Sequence, residues 1–183
     1  MTTLTQTQAG LPTGTWGLDP VHSQIGFSVE YVGGTFRGTF SPVEAALAVD
    51  ADGIASLNGR ALAESIHVQD ENLTAHLKAP DFFDAERVPE LGFASTAIRT
   101  ADAEVAIAGD LTLRGVTLPV ELAGTANGPV KDAYGNDRVI LTLETTIDRT
   151  QFGFDWNAPL PDGRPALGND VTLSAELYFV KQA

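Results

Sequence analysis

Apolar and polar residues alternate in one segment after another from Trp16 to Phe179, and a period of two is the signature of strands with one face hidden from water. Ile25, Phe27, Val29 and Tyr31 share a face of a run whose other face carries Gln24, Gly26, Ser28 and Glu30. Gly33-Gly34 predicts a hairpin turn, glycine supplying positive φ, after which Phe36 and Phe40 return to the apolar face. Val43, Ala45, Leu47 and Val49 lead to the turn Asp50-Ala51-Asp52-Gly53, and Ala55, Leu57, Gly59 and Ala61 follow it. Leu91, Phe93 and Ser95 alternate likewise, as do Val105, Ile107, Gly109, Leu111 and Leu113. Gly115 breaks that run and Val116, Leu118, Val120 and Leu122 resume it. Further sets are Val139, Leu141, Leu143, Thr145 and Ile147, then Phe152, Phe154 and Trp156, and finally Val171, Leu173, Ala175, Leu177 and Phe179. The pattern predicts roughly eight to ten strands, which suits a closed barrel or a sandwich.

One stretch departs from the alternation. Between Ser65 and Asp84, Asp70 and Glu71 open a segment with Leu73, Ala75 and Leu77 at its centre, Lys78 at its end and Pro80 beyond. These are helix start and stop signals, and they predict one short helix over residues 70–78 that closes an end of a barrel. Residues 1–15 are expected to be a disordered head, and residues 16–183 a single domain. Asn58-Gly59, Asn127-Gly128 and Asp162-Gly163 have the composition of tight turns, Asn58-Gly59 reading equally well as a bulge inside its run.

Charge narrows the partners. Twenty-four acidic residues against eleven basic ones give a net charge of −13, which repels a phosphate backbone and makes nucleic acid an unfavourable partner. Cysteine is absent, so disulfides, thiolate catalysis and thiolate-bound zinc are excluded. The sequence contains no apolar run long enough to span a bilayer and so predicts no stable membrane insertion, and its first residues lack the pattern of a signal peptide, the expectation being a cytoplasmic protein. Homodimerisation stays open.

Motifs that could carry chemistry read mainly as structural. Asp19-Pro20-Val21-His22-Ser23 holds the residue types of a hydrolytic triad, but neighbours on an extended chain point to opposite faces, so an Asp-Pro turn is the expectation. His22, His67 and His76 form no metal-binding pair at a recognised spacing, so no metal site is expected. Asp81, Asp84 and Glu86 read as a solvated rim. The glycine-rich stretch 33–38 lacks the Lys and Ser/Thr of a phosphate loop. No catalytic residue is assigned.

An interior built from these faces is either packed or partly open. Phe152, Phe154 and Trp156 are spaced to point inward together, and Gly26, Gly38, Gly59, Gly109, Gly115 and Gly124 lie in or beside strands, where glycine leaves room for something else.

Four segments together resemble the YceI-like family of polyisoprenoid-binding proteins: Leu18 to Phe27 (LDPVHSQIGF), His76 to Asp84 (HLKAPDFFD), Gly109 to Val116 (GDLTLRGV) and Ile147 to Phe154 (IDRTQFGF). They occur in that family's order. The resemblance implies an all-β, antiparallel, lipocalin-like barrel of about eight strands with a long apolar lumen. It implies non-catalytic binding of an isoprenoid lipid, a polyprenyl or quinone-type chain, for carriage, storage or sequestration, with no further cofactor. Lumen candidates are Ile25, Phe27, Val29, Tyr31, Phe36 and Phe40 from the first hairpin, and Phe82 and Phe83 after the helix. Phe93, Leu111, Leu113, Phe152, Phe154 and Trp156 complete the set. Arg37, Arg149 and Arg164 are the candidates to meet a polar head. The alternatives are an enzyme acting on a hydrophobic substrate and a packed barrel serving as a protein-interaction module.

Overall fold

The computed structural model describes residues 11–182 and shows an antiparallel barrel of eleven strands among those residues. In chain order they are β1 (Gly14–Leu18), β2 (Gln24–Tyr31), β3 (Gly34–Phe40), β4 (Val43–Val49), β5 (Ala55–Leu62) and β6 (Ile66–His67). Helix α1 (Glu71–Lys78) follows, and then β7 (Glu90–Ala101), β8 (Glu104–Leu113), β9 (Val116–Lys131), β10 (Asp137–Asp148) and β11 (Leu167–Lys181). The order β1-β4-β5-β7-β8-β9-β10-β11 returns to β1 through its pairing with β11, so eight strands form a closed ring with no free edge. At the other end of β11 its first half pairs instead with β2, and β3 and β6 extend the wall from there.

Local chemistry accounts for the joints. Val32 and Gly33 both have positive φ, the requirement of a tight two-residue hairpin loop between β2 and β3. Arg114 and Gly115 do the same between β8 and β9. Asp70 caps α1, its carboxylate accepting from the Leu73 N–H at 2.9 Å, and the helix stops two residues before Pro80.

Three boundaries differ from the sequence expectation. Of the stretch expected to be disordered, residues 1–10 lie outside the described residues, but β1 already begins at Gly14 and Leu11 packs on the core. The Pro12 carbonyl accepts from the Trp16 indole N–H at 3.1 Å, which draws this segment onto the barrel. Asn127-Gly128 is no turn: it sits inside β9, where the pairing with β10 slips by a residue between Arg138 and Ile140, and the turn falls at residues 132–136. Phe152 to Trp156 form no strand either, because a 3₁₀ turn (Arg149–Phe152) ends at Gly153 in the left-handed region.

The interior is divided in two. In one half Trp16, Leu47, Ile107, Leu141 and Phe179, each 0–1% exposed, interlock with Leu57, Val105, Val139, Leu143 and Leu177 into a solid core. The other half is ringed by Val29, Phe40, Leu91, Leu113, Ile147, Phe154 and Leu167. Ile25 and Phe93 touch both groups and lie at the division.

Candidate functional site

The second half of the barrel is hollow. A cavity of about 380 Å³ opens there, and its wall can be read as a ladder along the strands. On β11 the order is Leu167, Val171 and Leu173 along the cavity, then Ala175, then Leu177 and Phe179 in the solid core. Cross-strand partners set the same depths on β2: Leu167 faces Tyr31, Val171 faces Val29, and Leu173 faces Phe27. Tyr31, half exposed, and Leu73, about a third exposed, therefore stand at the mouth, while Phe27 and Leu173 lie near the floor.

Helix α1 and the segment after it cover the space between the walls. Leu73, His76 and Leu77 fall on one helical face at spacings of three and four and border the cavity. The chain then turns back, the Phe83 N–H donating to the Leu77 carbonyl at 3.0 Å, which sets Phe82 and Phe83 beneath the helix. The Phe83 ring meets Phe40 and Phe154 edge-on at 5.4 and 4.9 Å between centroids. The His76 ring stands edge-on to Phe82 and Trp156 at 5.0 and 5.4 Å. Such edge-to-face contacts give the mouth a fixed aromatic rim. Arg114, in the β8–β9 loop, fastens that rim: its Nη1 donates to the Phe82 carbonyl at 2.7 Å and its guanidinium lies 5.9 Å from the centre of the Phe154 ring.

One polar group interrupts the apolar wall. Arg149 borders the cavity yet is only 5% exposed. Its Nε donates to the Gly168 carbonyl at 2.8 Å, and its Nη1 to the carbonyls of Phe154 and Trp156. Burial pulls its pKa below the ordinary arginine value, with the nearby charges of Asp155 and Asp148 acting in the opposite direction. It remains a cation at any physiological pH.

Of the lumen candidates, Phe27, Val29, Tyr31, Phe36, Phe40, Phe82, Phe83, Leu113, Phe154 and Trp156 border the cavity. Ile25, Phe93, Leu111 and Phe152 do not: all four face inward, but they are taken up in packing around or below the hollow. Two of the strand glycines are taken up by neighbouring rings. A Cβ at Gly109 would lie 2.4 Å from the Phe93 ring and one at Gly38 the same distance from the Phe27 ring, so these glycines make room for phenylalanines, not for free space. The cavity ends at the solid half of the barrel. Sequence reading passed over Leu73, His76, Leu77, Leu91, Ile147, Leu167, Val171 and Leu173 as wall residues.

The remaining candidates lie elsewhere. Arg37 is exposed and does not border the cavity, and Arg164 is exposed and paired with Asp162 at 2.7 Å. Asp19 and His22 do meet, Oδ2 to Nδ1 at 2.7 Å, but the Ser23 hydroxyl accepts from the Tyr178 N–H at 2.9 Å and joins no triad. These three belong to the solid end of the barrel, where Asp19 also binds Arg138 at 2.9 Å. His67 sits exposed on β6, and Asp81 approaches His76 at 3.4 Å, while Asp84 occupies a turn with φ of 49°. Among the described residues no three His, Cys, Asp or Glu side chains converge as a metal site would need, and no helix is long and apolar enough to cross a membrane.

A closed antiparallel barrel, solid at one end and holding an apolar cavity at the other, defines the class. The particular family follows from comparison: the model of the YceI-like domain matches residues 16–179, and the chain belongs to that family. A UPF0312 protein of Pseudomonas fluorescens is 34% identical over 169 residues, covering 87% of this chain and 78% of the relative. Among solved structures, BcnA of Burkholderia cenocepacia shares the fold with a TM-score of 0.75 at 18% identity, over 88% of this chain and 98% of that one. A polyisoprenoid binding domain from Saccharophagus degradans, implicated in plant cell wall breakdown, does so with a TM-score of 0.65 at 10% identity, over 91% and 98%.

Proposed function

We propose that this protein binds an isoprenoid lipid in the barrel cavity, without catalysis, and so carries, stores or sequesters it. The observation that carries the reading is the cavity itself: an open hollow of about 380 Å³ whose wall is almost wholly aliphatic and aromatic. Such a surface gains free energy by taking an apolar chain out of water, about 0.8 kcal/mol per methylene-sized group before the costs of ordering the chain. The solved Saccharophagus degradans relative bears the name of a polyisoprenoid binding domain, which supports the same ligand class here.

Cavity size makes the proposal narrower. Scaled from an apolar cavity of about 150 Å³ that holds benzene, with six heavy atoms, the 380 Å³ hollow takes about fifteen, or about three five-carbon units. A longer polyprenyl or quinone chain leaves its remainder outside the mouth. Asp19, His22 and Ser23 do not border the cavity and take no part in this binding.

Protein purified from its native host, extracted with organic solvent and examined by mass spectrometry, tests this. Recovery of a prenyl lipid in near-stoichiometric amount is expected. Repeated recovery of protein with no lipid, or with lipids that lack prenyl chains, would count against it.

A further inference from the structure

Arg149 has more hydrogen-bonding capacity than the fold uses. A guanidinium carries five N–H donors. Those of Nε and Nη1 go to the carbonyls of Gly168, Phe154 and Trp156, and Nη2 has no partner among the described residues. Among the described residues no fully buried side-chain nitrogen or oxygen is left without a partner, so Nη2 keeps accessible surface although the residue is 95% buried. The surface Arg149 borders is the cavity.

Its charge is likewise uncompensated at close range. Asp148 and Asp155 influence it, but neither makes an ion pair with it, whereas ion pairs bind Arg60, Arg99, Arg138 and Arg164. Asp148 is engaged instead with the Thr150 N–H and hydroxyl. A buried cation whose hydrogen-bond partners are all carbonyl dipoles is stabilised strongly by an anion that brings its own acceptor oxygens. Register places this group at the upper part of the hollow: Ile147, two residues before it, faces Val171, and Gly168 lies next to Leu167 at the mouth. A head bound there leaves its tail pointing down between Val29, Phe27 and Leu173.

We infer that Arg149 is a ligand anchor, and that the cavity is built for a prenyl chain ending in a carboxylate, one ligand charge matching one buried protein charge. This rests on the lipid-binding reading and adds the head group to it. The net charge of −13 works against any anion approaching the surface, so a preference for the acid requires a local cation.

The test uses the full-length protein and two probes of the same length, farnesoic acid and its methyl ester, titrated at neutral pH and followed by tryptophan fluorescence, since Trp156 borders the cavity. The wild-type protein is expected to bind the acid about tenfold more tightly than the ester, the scale of one charge-assisted hydrogen bond. An apolar cavity without an anchor gives the opposite order, because a carboxylate costs more to desolvate. In Arg149→Met, with folding checked by circular dichroism, the order is expected to reverse in favour of the ester. Equal binding or a preference for the ester in the wild-type protein would overturn the assignment while leaving the lipid reading intact, and failure of both probes to bind would overturn the lipid reading itself.

Discussion

The Phe93 ring lies against the backbone of Gly109, so close that a β-carbon at Gly109 would fall 2.4 Å from the ring and 2.5 Å from the Ala94 carbonyl. This contact sits at the division between the solid core and the hollow. Gly109→Ala therefore forces the ring and a strand backbone to move together, with an expected cost of about 1–3 kcal/mol, the range of overpacked cores. Urea denaturation checks it: an unchanged midpoint would mean that the ring has room to yield.

Arg114 holds the rim by its bond to the Phe82 carbonyl. In Arg114→Met that carbonyl loses its partner, with an expected destabilisation of about 1–3 kcal/mol. Hydrogen exchange should show faster opening confined to residues 80–85. Protection unchanged in that segment would show that the aromatic contacts of Phe82 and Phe83 hold it unaided.

Acid should loosen the solid end. The Arg138 guanidinium, bonded to both Asp19 and Asp132, holds each carboxyl well below the usual carboxylate range; burial opposes this at both, and His22 also contributes at Asp19. A carboxyl whose pKa is depressed by folding adds stability that is full above its unfolded pKa of about 4 and is lost as pH falls further. Asp19→Asn is expected to melt several degrees below the wild-type protein at pH 7, and the gap should shrink steadily below about pH 4. A gap that persists undiminished at pH 2 would place the effect in packing, not charge.

Much of this architecture is legible in the sequence, and the part that is not has a definable cause. Alternation identifies the strands, and Asp70 with Pro80 brackets the helix within a residue of its observed start. Alternation also says which residues face inward. It does not say how deep they lie, because depth comes from the pairing of β2 with β11, a contact between Ile25 and Ala175 that no local pattern encodes. Phe93 and Phe27 thus read alike, yet one lies at the division and the other on the cavity wall. Favouring aromatic residues as lumen candidates also passed over Leu91, Ile147, Val171 and Leu173, whose inward parity was visible in the same runs. Arg149 could be named as a head-group candidate from sequence, but its isolation from carboxylates depends on the loop after Gly153 and the start of β11 folding around it.

Filling the hollow should separate binding from folding. Val171 is partly buried on the cavity wall, and a Val171→Trp ring would project into open space. Prenyl alcohol affinity is expected to fall at least about a hundredfold, the loss of roughly three or four buried methylene-sized groups, with the melting temperature little changed. Retention of full affinity would mean that the ligand lies elsewhere on the barrel.

The most direct measurement is affinity as a function of chain length. Geraniol, farnesol, geranylgeraniol and a longer polyprenol, each titrated into lipid-free protein below its solubility limit, sample a hollow of about 380 Å³ one five-carbon unit at a time. A pocket of this size predicts affinity that climbs more than tenfold from geraniol to farnesol and then levels, because later units remain in water. Affinity that keeps climbing through the longer chains, or an absence of saturable binding at every length, would contradict it.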